Sequence, residues 1–295
     1  MLLLLIAGAA FLYNHYAPFR LSTLVLIGRS PICPLSEAVK SEENIRLQTA
    51  IKDRILNASK LVQANKGLEQ WSTPKGLFWI PKGNQFVLPF NLAELERKIY
   101  GTGEQAVHSG DIVLDCGASD GDFTREALEA GAKLVVAVEI APQNIECLRR
   151  NLAKETAAGR VIIYPKGVWD KDDVRPLNVD DQNFAADSVV LRPKGSHSEI
   201  TVPLTTIDKL VAELKLERVD YIKMDIEGAE PKALAGAHDT LAKFKPRISI
   251  SAYHKPGDPE EISKLILGSR PDYRRYCGPC AEADNRVRPD ILYFR

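Results

Sequence analysis

Neither sign of charge predominates in this chain. Its 39 lysines and arginines balance 39 aspartates and glutamates, so no global field singles out a nucleic-acid partner. Cysteine is scarce and odd in number: Cys33, Cys116, Cys147, Cys277 and Cys280. An odd count in a long chain argues against a secreted disulfide framework. Cys277-Gly-Pro-Cys280 is a C-x-x-C pair, but a structural zinc site needs four ligands, and the sequence holds no second pair and no H-x-x-x-H partner. The pair therefore reads as plain loop thiols. Also missing is the G-x-G-x-x-G turn of dinucleotide-binding proteins. What remains is ordinary globular usage, 45% apolar and 26% charged over 295 residues, which excludes wholesale disorder and allows one large α/β domain.

Long apolar runs are confined to the start. Met1 to Leu12 is unbroken apolar sequence, and Leu21 to Ile27 is apolar again. The first run is short for a spanning helix, which needs ~20 residues. No basic segment precedes it and no small-x-small cleavage site follows, so a secretory signal fits less well. Residues 1–28 are expected to form a membrane-associated N-terminal helix attached to a cytoplasmic catalytic domain.

Residues 29–106 read as a helical and irregular extension. A mixed-charge helix is expected over 30–66, strand-like pieces at Leu77–Ile80 and Phe86–Leu88, and a helix from Asn91 with Glu94 placed for a capping box. From residue 107 onward the pattern changes. Short β-branched runs, Ile112–Cys116, Leu134–Glu139, Val161–Tyr164, Tyr221–Asp225, Ile248–Ala252 and Ile291–Phe294, alternate with helical segments near 122–130, 142–154, 205–215, 229–243 and 259–267. Apolar strands separated by single helices imply a parallel sheet covered on both faces, hence a doubly wound α/β fold. Residues 170–204 break the rhythm and look like an inserted hairpin, with arms at Ser188–Leu191 and Glu199–Leu204 around residues 192–195.

Ligands of open α/β sheets bind beyond the carboxyl ends of the strands. The first strand ends in Asp115-Cys-Gly117-Ala-Ser119-Asp-Gly121-Asp122. Glycines there let the backbone turn tightly against a ligand, and Asp122 suits an N-cap. Three acids, Asp115, Asp120 and Asp122, are poor neighbours for a pyrophosphate and good ones for a cation. S-adenosylmethionine carries a sulfonium and an ammonium and no phosphate, so the electrostatics favour it over NAD or ATP. Glu139, at the end of the second strand, can accept both ribose hydroxyls. In the fourth strand, Ile222, Met224 and Ile226 share one face and Lys223, Asp225 and Glu227 the other, with the two carboxylates about 6–7 Å apart if the strand stays extended. Paired carboxylates facing a crevice are unfavourable without a task.

These segments resemble the FkbM family of methyltransferases. The matching residues are Val113-Leu-Asp-Cys-Gly-Ala-Ser-Asp-Gly121, Val138-Glu139, Thr206-Ile-Asp208, Ile222-Lys-Met-Asp-Ile-Glu-Gly-Ala-Glu230 and Tyr253-His254-Lys-Pro-Gly-Asp258. The resemblance covers residues 107–295. It implies a seven-stranded Rossmann-like sheet with an antiparallel last strand, and methyl transfer from S-adenosylmethionine to a hydroxyl of a sugar, glycolipid or polyketide-like acceptor. The stretch from Cys277 to Pro289 departs from the pattern.

The expected cofactor contacts are Asp115, Gly117, Ser119, Gly121, Glu139 and Asp225. His254, following the fifth strand, is the first choice for general base, since a pKa near 6.5 suits neutral pH. Asp225 and Glu227 are the alternatives, as base or as oxygen ligands of a divalent metal, and no metal is assigned from the sequence. The bland alternative for Glu227 and Glu230 is helix capping and a salt bridge to Lys223 or Lys232. Two rival functions stand beside methyl transfer. An NAD-type oxidoreductase is disfavoured by the missing glycine pattern. A non-catalytic binding protein on the same fold is disfavoured by the intact set Asp115, Gly117, Glu139 and Asp225.

Overall fold

The computed structural model describes every residue except 181, 194 and 196, and the side chains of 2, 3 and 197 are likewise set aside. Seven strands form the central sheet: β1 (Ile112–Cys116), β2 (Leu134–Val138), β3 (Val161–Tyr164), β4 (Tyr221–Met224), β5 (Arg247–Ser251), β6 (Arg275–Cys277) and β7 (Ile291–Phe294). Their order is β3-β2-β1-β4-β5-β7-β6. Strands β1 to β5 are mutually parallel, and β7 runs antiparallel to β5 and β6. The short strand β6 has no counterpart in the sequence reading.

Burial follows the pleat. Leu114 and Cys116 of β1 join Val136, Ile222, Met224 and Ile248 on one face. Val113 joins Val135 and Tyr221 on the other. Strands apolar on both sides must be covered on both sides. The chain reverses its winding between β1 and β4, which opens a crevice beyond their carboxyl ends.

The extension is more ordered than expected and includes a sheet. A helix, Ser41–Ala58, leads into a three-stranded antiparallel sheet of Lys60–Asn65, Leu68–Thr73 and Gly76–Pro81. Phe86–Leu88 is not a strand. Leu88, Leu92 and Leu95 recur at helical spacing and are buried, so the helix begins at Val87 and runs to Glu96. Asn91 therefore sits inside that helix and caps nothing. Ile55, Phe78, Ile80 and Leu92 pack into the same cluster as Val113 and Val135, so the extension covers one face of the main sheet.

The insertion is a hairpin with a different first arm. Asp173–Asp180 pairs antiparallel with His197–Thr205, while Ser188 contributes one bridge to Asn178. The expected turn at 192–195 lies partly outside the described residues. The long helix expected over 229–243 is two helices, Glu230–Ala235 and His238–Phe244, parted at Gly236.

No helix among the described residues is long and apolar enough to cross a membrane. Residues 1–28 form two short helices, Leu2–His15 and Ala17–Leu26. The first leaves Leu4, Leu5, Ile6 and Phe11 exposed; the second buries Leu21 and Leu24. Those leucines pack with Val287 against the C-terminal hairpin Cys280–Ala283/Arg286–Pro289. A disulfide joins Cys33 to Cys280 across 247 residues, which corrects the reading of Cys280 as a loop thiol. Cys277 is a free thiol. Sequence spacing hid the pairing because Cys33 is brought to the hairpin only by tertiary packing.

A cross-link closing so long a loop restricts the unfolded chain and contributes about 3–5 kcal/mol. Dithiothreitol is therefore expected to lower the thermal midpoint of the wild type and to leave a Cys33→Ser, Cys280→Ser double variant unchanged, read by scanning fluorimetry. Equal wild-type midpoints with and without reductant would show that the bond is absent from the folded protein.

Candidate active site

The crevice is organised by the bend after β1. Gly117 has φ +82°, a conformation open mainly to glycine. A Cβ there would collide with the carbonyl oxygen of Asp225, so the ends of β1 and β4 touch backbone to backbone. The Gly117 and Ala118 amides both donate to the Val138 carbonyl at 3.0 Å, which fastens the bend to β2. Ser119, also left-handed at φ +51°, turns its amide onto Glu139 Oε2 at 2.8 Å. Gly117 and Glu139 thus lie at the same end of the sheet, one bend apart.

Glu139 is held by backbone alone. Its Oε1 accepts from the Ile140 amide at 2.6 Å and the Ala141 amide at 2.8 Å. The side chain is buried, and burial raises its pKa against the pull of these amides. A carboxylate has about four acceptor positions. Three are used, so Oε2 keeps one for a ligand.

The three acids of the bend do not act alike. Asp115 is fully buried, accepts from Thr124 Oγ1 at 2.6 Å and pairs with Lys223 Nζ at 3.4 Å. It lies beneath the crevice and lines neither of the hollows there. Asp120 is also fully buried, with neither carboxylate oxygen hydrogen-bonded, and burial lifts its pKa well above the usual range. Only Asp122 lines the cavity, its pKa pushed up to about 6 by burial. It is the first helical residue rather than the cap, which is Gly121. Gly121 is needed for packing: a Cβ there would come within 2.9 Å of Leu148 and Leu152.

Two connected hollows share Gly117, Ser119, Asp225 and Glu227. One, of about 450 Å³, is walled by Phe86, Phe90, Glu94, Tyr100, Asp122 and Tyr253. The other, a slot of about 60 Å³, runs between Val138, Glu139, Ile140 and Phe184. Phe184 is fixed there by its backbone, which receives from Asn144 Nδ2 and donates to Asn84 Oδ1, each at 3.0 Å.

Asp225 and Glu227 stand where the two hollows meet. The strand stops at Met224, and Glu227 is left-handed at φ +54°. This turn brings carboxylate oxygens of the pair within 4.8 Å of each other, closer than an extended strand allows. Asp225 Oδ2 accepts from the Tyr100 hydroxyl at 3.0 Å. The Tyr100 carbonyl in turn accepts from Ser249 Oγ at 2.7 Å and from the Tyr221 hydroxyl.

His254 lies behind this pair with a side chain 3% exposed. Its Nε2 is 3.3 Å from Glu227 Oε1 and 3.6 Å from Asp225 Oδ1, and its Nδ1 is 3.2 Å from Glu230 Oε1. Burial alone would lower its pKa, but Glu227, Glu230 and Asp225 outweigh that and raise it to about 11. Glu230 also accepts from the Ile226 amide at 2.9 Å; that amide precedes the helix, whose N-terminus has no side-chain cap, so the capping role weighed for Glu230 is not seen. The salt bridges differ from those weighed: Lys223 pairs with Asp115, and Lys232 with Asp170. Lys223 Nζ also donates to the Gly117 carbonyl at 2.7 Å.

Lys223, Tyr100 and Glu94 were not picked out as site residues. Lys223 had a usable signal, its period-two position beside Asp225. Tyr100 and Glu94 had none, because the extension reaches the crevice through tertiary packing alone.

A doubly wound sheet of this order, with a glycine bend after β1 and a carboxylate closing β2, defines a methyltransferase-type α/β protein. The chain belongs to the Methyltransferase FkbM domain family, whose model matches residues 115–277. It is 27% identical over 149 residues to the 2-O-methyltransferase NoeI of Sinorhizobium fredii, covering 45% of this chain and 60% of that protein. It is 26% identical over 186 residues to the 31-O-demethyl-FK506 methyltransferase FkbM of Streptomyces tacrolimicus, covering 54% and 72%. The crystal structure of Methyltransferase FkbM from Methylobacillus flagellatus shares the fold, with a TM-score of 0.50 at 20% identity over 86% of this chain and 59% of that one.

Gly117→Ala adds a methyl where the Asp225 carbonyl already sits, at a φ that alanine resists. It is expected to reduce the unfolding free energy by at least about 2 kcal/mol, measured by urea denaturation. A loss below about 0.5 kcal/mol, the scale of an ordinary surface change, would show that the β1–β4 contact is dispensable.

Proposed function

We propose that this protein transfers a methyl group from S-adenosylmethionine to a hydroxyl oxygen of a small-molecule or glycan acceptor, of sugar, glycolipid or polyketide-like type. The observation that carries the reading is the crevice itself. A glycine cradle that a Cβ would fill adjoins a carboxylate with one acceptor position left, and the buried Ser119 Oγ and Asp225 Oδ1 lack hydrogen-bond partners. These features fit a nucleoside with an amino-acid tail. Asp122, Asp225 and Glu227 outnumber the single amine of Lys223 in the larger hollow, while burial raises the pKa of Glu94 beside them well above the usual range; the surplus of carboxylates suits a sulfonium and opposes a pyrophosphate. The hydroxyl-directed names of the two curated relatives support an oxygen acceptor.

In this reading Glu139 Oε2 holds the ribose, and the backbone at Gly117 and Ser119 lines the methionine portion. The adenine enters the slot against Ile140 and Phe184, and the wall at 184–187 moves outward to admit it. When bound, S-adenosylmethionine supplies an electrophilic methyl on a positively charged sulfur. The protein's tasks are to align the acceptor oxygen with that methyl and to take its proton. Asp115 acts at a distance, by keeping Lys223 on the Gly117 carbonyl.

His254 was the first choice for the base, but it does not line the acceptor hollow, and its Nε2 faces two carboxylates. Asp225 and Glu227 do line it. Asp225 is engaged by Tyr100, so Glu227 is the better placed acceptor of the proton. Membrane association through residues 1–28 remains part of the proposal in a weaker form: the exposed Leu4, Leu5, Ile6 and Phe11 suit a surface contact rather than a span.

The test is calorimetric titration of the wild type and Glu139→Ala with S-adenosylhomocysteine. Loss of a charge-assisted contact is expected to weaken binding at least about tenfold. Glu227→Gln is expected to retain binding while lowering turnover by about a hundredfold or more, read as +CH₂ products by mass spectrometry with a metabolite pool. Stabilisation by NAD without any by S-adenosylhomocysteine would favour the oxidoreductase instead, and unchanged turnover in Glu227→Gln would remove the base assignment.

A further inference from the structure

The surroundings of His254 call for more than a proton-transfer role. Its imidazole is 3% exposed, so water does not satisfy it. Its Nε2 points between Asp225 Oδ1 and Glu227 Oε1, at 3.6 and 3.3 Å, yet makes a hydrogen bond to neither. Asp225 Oδ1 has no partner either. One nitrogen facing two carboxylate oxygens is a poor hydrogen-bond geometry, because a single N–H cannot point at both. It is a good arrangement for three donors around one ion.

The far side of the ring supports this. Glu230 is fully buried, with Oε1 3.2 Å from His254 Nδ1 and anchored by the Ile226 amide. Nδ1 makes no hydrogen bond at this distance, but a carboxylate so close behind an imidazole can orient the ring once the other nitrogen binds a metal, as in carboxylate–histidine–metal arrangements. Three carboxylates gather on this histidine, and Lys223 is already committed to Asp115 and the Gly117 carbonyl. A second grouping of Glu230, His254 and Asp258 also exists. There Asp258 Oδ2 takes the Lys255 amide at 2.6 Å and Glu230 Oε1 the Ile226 amide, and neither residue lines the larger hollow.

We propose that Asp225 Oδ1, Glu227 Oε1 and His254 Nε2 form a binding site for a first-row divalent cation, with Glu230 orienting the imidazole. The three atoms lie within 4.8 Å of one another. Bonds of about 2.0–2.2 Å ask the two part-exposed carboxylates to close by an ångström or so, and both sit on a turn at a strand end. One imidazole with two carboxylates suits Mn²⁺, Fe²⁺ or Zn²⁺ better than Ca²⁺ or Mg²⁺, which prefer oxygen alone. The remaining positions of such an ion open toward the acceptor hollow. A role for it in holding an acceptor oxygen rests on the methyl-transfer reading; ion binding does not.

The experiment is calorimetric titration of chelator-treated full-length protein with MnCl₂ and ZnCl₂, each sample also titrated with S-adenosylhomocysteine. One equivalent of at least one ion is expected to bind with a dissociation constant of about micromolar. His254→Gln and Asp225→Asn are each expected to weaken that binding at least tenfold, and Glu230→Gln by about tenfold. If His254→Gln does not fold, Asp225→Asn carries the comparison. Two results overturn the site: protein that binds S-adenosylhomocysteine but neither ion, or ion binding undiminished in the folded variants. Absent nucleoside binding with intact ion binding would instead count against the proposed function alone.

Discussion

The approach of Gly117 to the carbonyl of Asp225 is the constraint on which the site depends. It leaves no room for a side chain, so β1 and β4 can end together only if the first is followed by a glycine in a left-handed conformation. Lys223 secures the same junction from below, spanning from the Asp115 carboxylate to the Gly117 carbonyl. The pair is buried, and a buried charge is tolerable only when compensated. Here the compensation aims the bend. With β1 and β4 fixed, Ser119 reaches Glu139 and Asp225 faces the hollow without further adjustment.

The acids near the bend divide into structural and outward-facing groups, and sequence alone does not separate them. Asp115 and Asp120 are fully enclosed, while Asp122, Asp225 and Glu227 line the cavity. The extension contributes as well. Its helix Val87–Glu96 lays Phe90 and Glu94 on the cavity wall, and Tyr100 just beyond it binds Asp225. The crevice is thus lined by residues of the extension and of the main sheet.

Much of the sheet was legible. β1 to β5 and β7 announce themselves as apolar runs between helical segments, and period two in β4 correctly placed Ile222 and Met224 opposite Lys223 and Asp225. The doubly wound α/β architecture followed from these six runs, while the count of seven came only from the family resemblance; β6 went unseen because Arg275–Cys277 is short and half exposed. The extension was less legible for a physical reason. Polar strands such as Lys60–Asn65, exposed throughout, carry no alternation, and the apolar helix from Val87 contains a proline that masks its start. The Cys33–Cys280 bond and the Tyr100 contact join residues far apart in sequence, and local pattern holds no record of either. Among the site residues, Gly117, Ser119, Glu139, Asp225 and Glu227 meet at one crevice; Asp115, Gly121 and His254 lie behind it.

The central claim is that this crevice receives the nucleoside of S-adenosylmethionine. A crystal structure of the protein with S-adenosylhomocysteine tests it most directly. Density for the nucleoside is expected beyond the carboxyl ends of β1 and β2, with ribose oxygens on Glu139 and the sulfur directed toward Asp225 and Glu227. Density at any other place on the sheet, or a bound ribose that leaves Glu139 untouched, would contradict it.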